Sequence, residues 1–164
     1  MTTTFTRTPP LGLRARQTLK TVHIVSGVGL LGATAATLLL ALTATTSDDA
    51  ASAREIYRLM SLQSAVFGIP LSLLALSSGI LLGLATRWGV LRHWWTTAKL
   101  ILILAVMVNG ALMIGPSVDE LRHGPPAEGT EVRLVVAAAG SLTMLLSATA
   151  LSVFRPAGRL RRRR

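Results

Sequence analysis

Residues 87–99 read R-W-G-V-L-R-H-W-W-T-T-A-K. The stretch holds all three tryptophans of the chain, two arginines, one of the three histidines and a lysine, and a long apolar run lies on each side of it. Indole rings settle at the headgroup level of a bilayer, and arginines beside them stay in water. A short segment of this composition between two apolar runs is a hinge joining two membrane-spanning helices. Trp88, Trp94 and Trp95 are its interfacial anchors.

Outward from the hinge, the apolar runs fall at about 19–44, 57–86, 94–114 and 132–154. Each is long enough to cross a hydrocarbon core of about 30 Å at 1.5 Å per residue. No water bonds the backbone at that depth, so the spans are helices. The expected architecture is all-α: an integral-membrane four-helix bundle with short loops, occupying residues 18–155. Residues 1–17, with Pro9, Pro10, Arg7, Arg14 and Arg16, read as a disordered lead-in, and 156–164 as a basic tail. Residues 45–56 and 115–130 read as polar loops. Pro70 predicts a kink in the second span, and Pro116 marks the end of the third.

Composition agrees. Of 164 residues, 51% are hydrophobic and only 15% charged, and the mean hydropathy is +0.55. Soluble domains carry about a quarter charged residues. Cysteine is absent, which removes disulfides, thiolate metal sites and cysteine nucleophiles. The net charge of +10 would suggest nucleic acid in a soluble protein. Here the cations flank apolar runs, so the lipid bilayer is the partner and nucleic acid is not. The N-terminal segment, the hinge and the tail, with adjoining span ends, hold 13 of the 17 Lys and Arg and no acid. The other two loops and their flanks hold all seven acids and four arginines. By the positive-inside rule both termini and the hinge are cytoplasmic, in a plasma (inner) membrane. The tail R-L-R-R-R-R is a candidate contact for anionic lipid.

Ionisable groups inside a span are costly and therefore functional candidates. His23 lies about one turn into the first span and Lys99 about one turn into the third, at similar depth from the same side. In a compact bundle they can face one another as a cofactor-binding pair. The plainer alternatives are a Lys99 that snorkels to the headgroups and a His23 bonded to a backbone carbonyl. His93 joins them only if the hinge folds inward, and His123 lies at the opposite end. No H-E-x-x-H or H-x-x-x-H pattern occurs, so no zinc-hydrolase or other metal site is expected.

Other polar groups read as structural. Gln63 and Asn109 are candidates for an interhelical bond. Thr34 and Thr37 can bond their own helix. Arg58 and Arg133 are expected to snorkel or to pair with Glu55, Glu131 or Asp119. Small residues four apart, Gly29 with Ala33 and then Ala75, Gly79 and Gly83, form close-packing stripes. Met107, Met113 and Met144 are core fillers.

The stretches L-K-T-V-H-I-V-S-G-V-G-L-L-G (19–32) and G-I-L-L-G-L-A-T-R-W-G-V-L-R-H-W-W-T-T-A-K-L (79–100) resemble a family of small bacterial membrane proteins named only as a domain of unknown function. The likeness covers the first three spans. A more distant likeness is to the four-helix membrane protoporphyrinogen oxidases and the copper-resistance D type of membrane domain. In the oxidases a K-x-x-H opens the first helix, matched here by Lys20 and His23. A tryptophan followed four residues later by Lys-Leu opens the third, matched by Trp95, Lys99 and Leu100. This resemblance implies a haem-associated site built on that His and Lys. Two departures stand out: Leu30 replaces the usual tryptophan, and Asn109 and Gly110 occupy the region where a late histidine is expected.

Three functions follow as expectations. The first is a non-enzymatic accessory or small-molecule-binding membrane protein, since no catalytic cluster converges. The second is a haem- or porphyrin-linked redox protein using His23 and Lys99. The third is a transporter, which with four helices per chain requires a homo-oligomer.

Overall fold

A computed structural model describes residues 12–85, 94–124 and 126–154. Four helices account for nearly all of them: α1 (Leu13–Thr45), α2 (Ala50–Ala85), α3 (Trp94–His123) and α4 (Thr130–Phe154). Even the shortest, with 25 residues, reaches about 38 Å. The sequence-based membrane bundle is therefore the fold. The hinge residues 86–93, with Trp88 and His93, lie outside the described residues, as do the first eleven residues and the basic tail.

Residues 46–49 and 124–129 are short connections, so the helices they join run antiparallel. One end of the bundle carries the starts of α1 and α3 and the finishes of α2 and α4; we call it the termini end. The other is the loop end. In cross-section α1 packs on α2 and on α4, and α4 packs on α3. The helices α1 and α3 are diagonal and make no close backbone approach. The loop-end half of α2 packs well on α3, whereas their termini-end halves barely touch.

The expected helix ends need correction at three places. α1 begins at Leu13, inside the segment read as disordered. α2 begins at Ala50, because Asp49 caps it by accepting from Ala51 N at 3.2 Å and Ser52 N at 2.9 Å. Most of the expected loop 45–56 is thus helix. α3 does not stop at Pro116 but runs on to His123, so the expected loop 115–130 shrinks to its second half. At its end Gly129 adopts φ 80°, a left-handed turn that suits glycine, and its carbonyl accepts the Arg133 amide at 2.9 Å to start α4.

Both intrahelical prolines are reached through a π-helical turn. Residues Ser64–Gly68 precede Pro70, with Ile69 N bonding Ser64 O. Residues Gly110–Ile114 precede Pro116, with Gly115 N bonding Gly110 O. Proline lacks an amide and its ring crowds the carbonyl four residues back. A turn widened by one residue relieves that crowding within a continuous helix. Each π turn follows directly on an amide side chain, Gln63 in α2 and Asn109 in α3.

These two amides do not bond each other; each clasps an outer helix. Gln63 Nε2 donates to Ala33 O at 2.7 Å and Gln63 Oε1 accepts from Thr37 Oγ1 at 3.2 Å. Asn109 Nδ2 donates to Ala137 O and to Ser141 Oγ, both at 2.8 Å. Around them the interior is small and apolar. One cluster near the loop end unites Ala41, Ala44, Tyr57, Met60, Val118, Leu121 and Leu134; another joins Leu30, Val106 and Leu145. Buried Ser26 and Thr34 bond their own helix, to Val22 O and Leu30 O at 2.8 Å. Outward-facing Leu39, Phe67, Leu112 and Val136 are more than half exposed, which suits hydrocarbon and not water.

Candidate functional site

His23 and Lys99 both turn into the bundle at the termini end, each toward a different neighbour. His23 projects from α1 onto α2. Its Nδ1 lies 3.1 Å from Ala75 O and 3.1 Å from Ser78 Oγ. A carbonyl can only accept, so Nδ1 carries the proton. The Ser78 hydroxyl donates to Leu74 O, which leaves its oxygen to accept from the imidazole as well. The ring is therefore the Nδ1–H tautomer, with the Nε2 lone pair directed away from these acceptors. Among the described residues Nε2 has no hydrogen-bond partner.

Gly79 is part of the same seat. A Cβ built on it would stand 3.0 Å from His23 Cε1 and 3.5 Å from Nδ1. The stripe Ala75, Gly79, Gly83, read as helix packing, thus supplies at its first two members a carbonyl and a flat floor for an imidazole. Gly29 does fit the packing reading, since its face meets Leu71, with a built Cβ 3.1 Å from Leu71 Cδ1. Ala33 serves chiefly through its carbonyl, which accepts from both Gln63 and Thr37.

Lys99 projects from α3 onto α4. Its Nζ donates to Ser152 Oγ at 2.9 Å, and that hydroxyl in turn donates to Ala148 O at 3.0 Å. The ammonium also sits 5.2 Å from the centroid of the Trp95 ring, within cation–π range. Trp95 is half-buried against it, while Trp94, the first residue of α3, is exposed. Lys99 is half-buried, with its ammonium held by α4. No hydrogen bond joins Lys99 to His23 among the described residues.

Ser78 and Ser152 are the site residues that sequence reasoning passed over. Ser78 was legible in principle, since it stands three residues after Ala75 and one before Gly79 on the same face. Ser152 carries no comparable mark.

The pair offers a Lewis-basic nitrogen pinned from behind and a cation across the bundle. Among the described residues no group of three or more His, Cys, Asp or Glu side chains converges, so a bare metal ion has no cage here. A metal held in a macrocycle brings four donors of its own and asks the protein for an axial nitrogen, with cations for its carboxylates. At His23 a carbonyl fixes the proton on Nδ1, which leaves Nε2 as the nitrogen able to act as a donor.

Against known proteins, the family described as "Predicted integral membrane protein (DUF2269)" matches residues 17–123, well over half of the chain. The chain belongs to that family. No curated protein and no solved structure matches it.

Proposed function

We propose that this DUF2269 member is a non-enzymatic membrane protein that binds a small molecule or an accessory partner, with its site at the termini end between His23 and Lys99. One observation carries the reading: His23 is held by Ala75 O and Ser78 Oγ in a single tautomer, close against the face of Gly79. The bond to Ala75 O is also what a structural, carbonyl-bonded histidine would make; what supports a site is that Nε2 has no partner among the described residues while Lys99 is turned inward at the same end. Lys99, brought inward by Ser152 and Trp95, supplies the opposite polarity for an anionic substituent. The hydroxyls beside them, Ser78 and Ser152, each donate to a carbonyl of their own helix.

The tautomer favours a second reading, a haem- or porphyrin-linked redox protein. When bound, such a group would supply one-electron chemistry that no side chain here provides. His23 would hold its metal through Nε2, Lys99 would pair with a propionate, and Gly79 would leave room for the imidazole. The distant likeness to the protoporphyrinogen oxidases supports the same pair. Orientation belongs to this proposal too: a cytoplasmic termini end is supported by the partition of basic and acidic residues.

The test is direct. The protein is purified in detergent after expression with haem supplementation, and its spectrum is recorded oxidised and reduced, alongside native mass spectrometry for co-purified small molecules. A Soret band lost in His23→Ala and weakened in Lys99→Gln establishes the redox reading. A colourless protein that retains a small molecule, lost in the same variants, establishes the first reading alone. Neither a chromophore nor a His23-dependent ligand would refute the site.

A further inference from the structure

We infer that the loop end of α2 and α3 carries a second site, specific for a phosphate group, presented by a lipid headgroup or as the free anion. A cleft of about 390 Å³ there is lined by Ala51, Arg54, Glu55, Arg58, Arg122 and His123. Three guanidinium groups from two helices converge on it. Arg58 is gripped by Glu55, through Nε at 3.0 and 2.9 Å and Nη2 at 2.8 Å, so the one carboxylate lining the cleft is already neutralised. Arg54 donates only Nε, to Ala50 O at 3.2 Å. Arg122 donates Nη1 across the helix interface to Ser61 Oγ at 3.0 Å. Among the described residues no carboxylate pairs with Arg54 or Arg122. His123 adds a ring that leans on Asp119 of its own helix at 3.3 Å.

Each fork thus keeps at least one terminal nitrogen without a described partner: both on Arg54, Nη1 on Arg58 and Nη2 on Arg122. Donors contributed by three arginines on two helices suit an anion with several oxygens, such as phosphate. The setting makes the cluster informative, because all seven acids of the chain fall in the loop-end segments, yet this cleft keeps a positive excess. Snorkelling does not account for it. A snorkelling arginine needs no neighbouring helix, whereas Arg122 is tied to α2 through Ser61. One turn deeper, Leu59 and Leu62 of α2 are outward-facing at 43% and 55% exposure. The cleft therefore opens where the apolar belt ends, at the level of headgroup phosphates.

The experiment uses the full chain and two probes. In phosphatidylcholine nanodiscs containing phosphatidylglycerol, native mass spectrometry measures retained phosphatidylglycerol. In non-ionic detergent, inorganic phosphate is titrated while the thermal midpoint is followed. The double variant Arg54→Gln/Arg122→Gln is expected to lose at least fivefold in one or both readouts. Arg14→Gln/Arg16→Gln, at the termini end, should leave both unchanged. A loss confined to phosphatidylglycerol assigns the headgroup, and one confined to phosphate assigns the free anion. Equal binding in wild type and the double variant overturns the site, as does a loss seen only in Arg14→Gln/Arg16→Gln. If circular dichroism shows the double variant misfolded, Arg54→Gln alone decides on the same criteria, since Arg54 bonds only its own helix.

Discussion

Replacing Gly79 with alanine asks whether the small stripe on α2 exists for His23 or for helix packing in general. The added Cβ would stand 3.0 Å from His23 Cε1, 3.5 Å from Nδ1 and 3.9 Å from Nε2. Carbon atoms rest at about 3.5–4.0 Å, so the ring must give way by a few tenths of an ångström. Nδ1 already bonds Ala75 O and Ser78 Oγ at 3.1 Å. The retreat carries it to the limit of about 3.5 Å at which such a contact ceases to be a hydrogen bond. Loss of an interhelical bond within a membrane costs about 0.6 kcal/mol, at most about 1.7, and overpacking adds about 1–3 kcal/mol. Gly79→Ala should therefore destabilise by about 1.6–4.7 kcal/mol. Two glycines of α1 provide the scale. Gly32→Ala meets open space within 4 Å and should be neutral. Gly29→Ala meets only the end of Leu71, which can swing aside, and should fall between. The assay is unfolding in mixed micelles titrated with dodecyl sulfate, joined to nitrogen NMR of the His23 ring. The reasoning is refuted if Gly79→Ala matches Gly32→Ala in stability and leaves the Nδ1 resonance in place.

Two further predictions concern the frame. Asn109→Leu removes both bonds to α4, at Ala137 O and Ser141 Oγ, and should cost about 1–3 kcal/mol in the same unfolding assay at up to about 1.7 kcal/mol per bond; a variant as stable as wild type would show that the clasp contributes nothing. Asp49 accepts from the Ser52 hydroxyl at 2.6 Å and from the Ser52 and Ala51 amides, which hold its carboxyl below the ordinary 3.8. A folded-state value below the unfolded one gives stability that is full above that ordinary value and lost as pH falls through the folded one. Asp49→Asn keeps a capping oxygen without the titration, so its acid limb should be flatter in pH-dependent unfolding, and matching limbs would contradict this assignment.

The four spans were legible because hydrocarbon demands long apolar runs whatever the neighbours do. Their ends were not, because polarity was taken for absence of helix. Residues 50–56 are polar and helical at once: Asp49 caps them, and Glu55 and Arg58 pair along one face. Pro116 misled for a different reason. Its missing amide and crowding ring were read as a stop, but the π turn at Gly110–Ile114 absorbs them and the helix continues. His23 and Lys99 could be singled out as ionisable groups within spans, and Arg58 paired with Glu55 as expected. Arg133 bonds Glu120 at 2.9 Å rather than Glu131 or Asp119, since the extended α3 carries Glu120 to the start of α4. The partners of His23 and Lys99 were beyond reach. α1 is apolar on every side, so its hydropathy does not say which face meets α2. Moreover, one acceptor of His23 is a backbone carbonyl, and no side chain marks it in the sequence.

The two amides show how the frame bears on the site. Gln63 stands seven residues before Pro70, and Asn109 seven before Pro116, each with a π turn between. Gln63 ties α2 to α1, and Asn109 ties α3 to α4. The bundle is thus two clasped pairs, joined along α1 and α4 and at the loop end of α2 and α3, but scarcely in contact where α2 and α3 approach the termini end. His23 is held entirely within the first pair, by α2. Lys99 is bonded within the second, to α4. A ligand that engages both residues therefore spans the seam between the pairs. Its binding should draw together the two helix halves that otherwise barely touch.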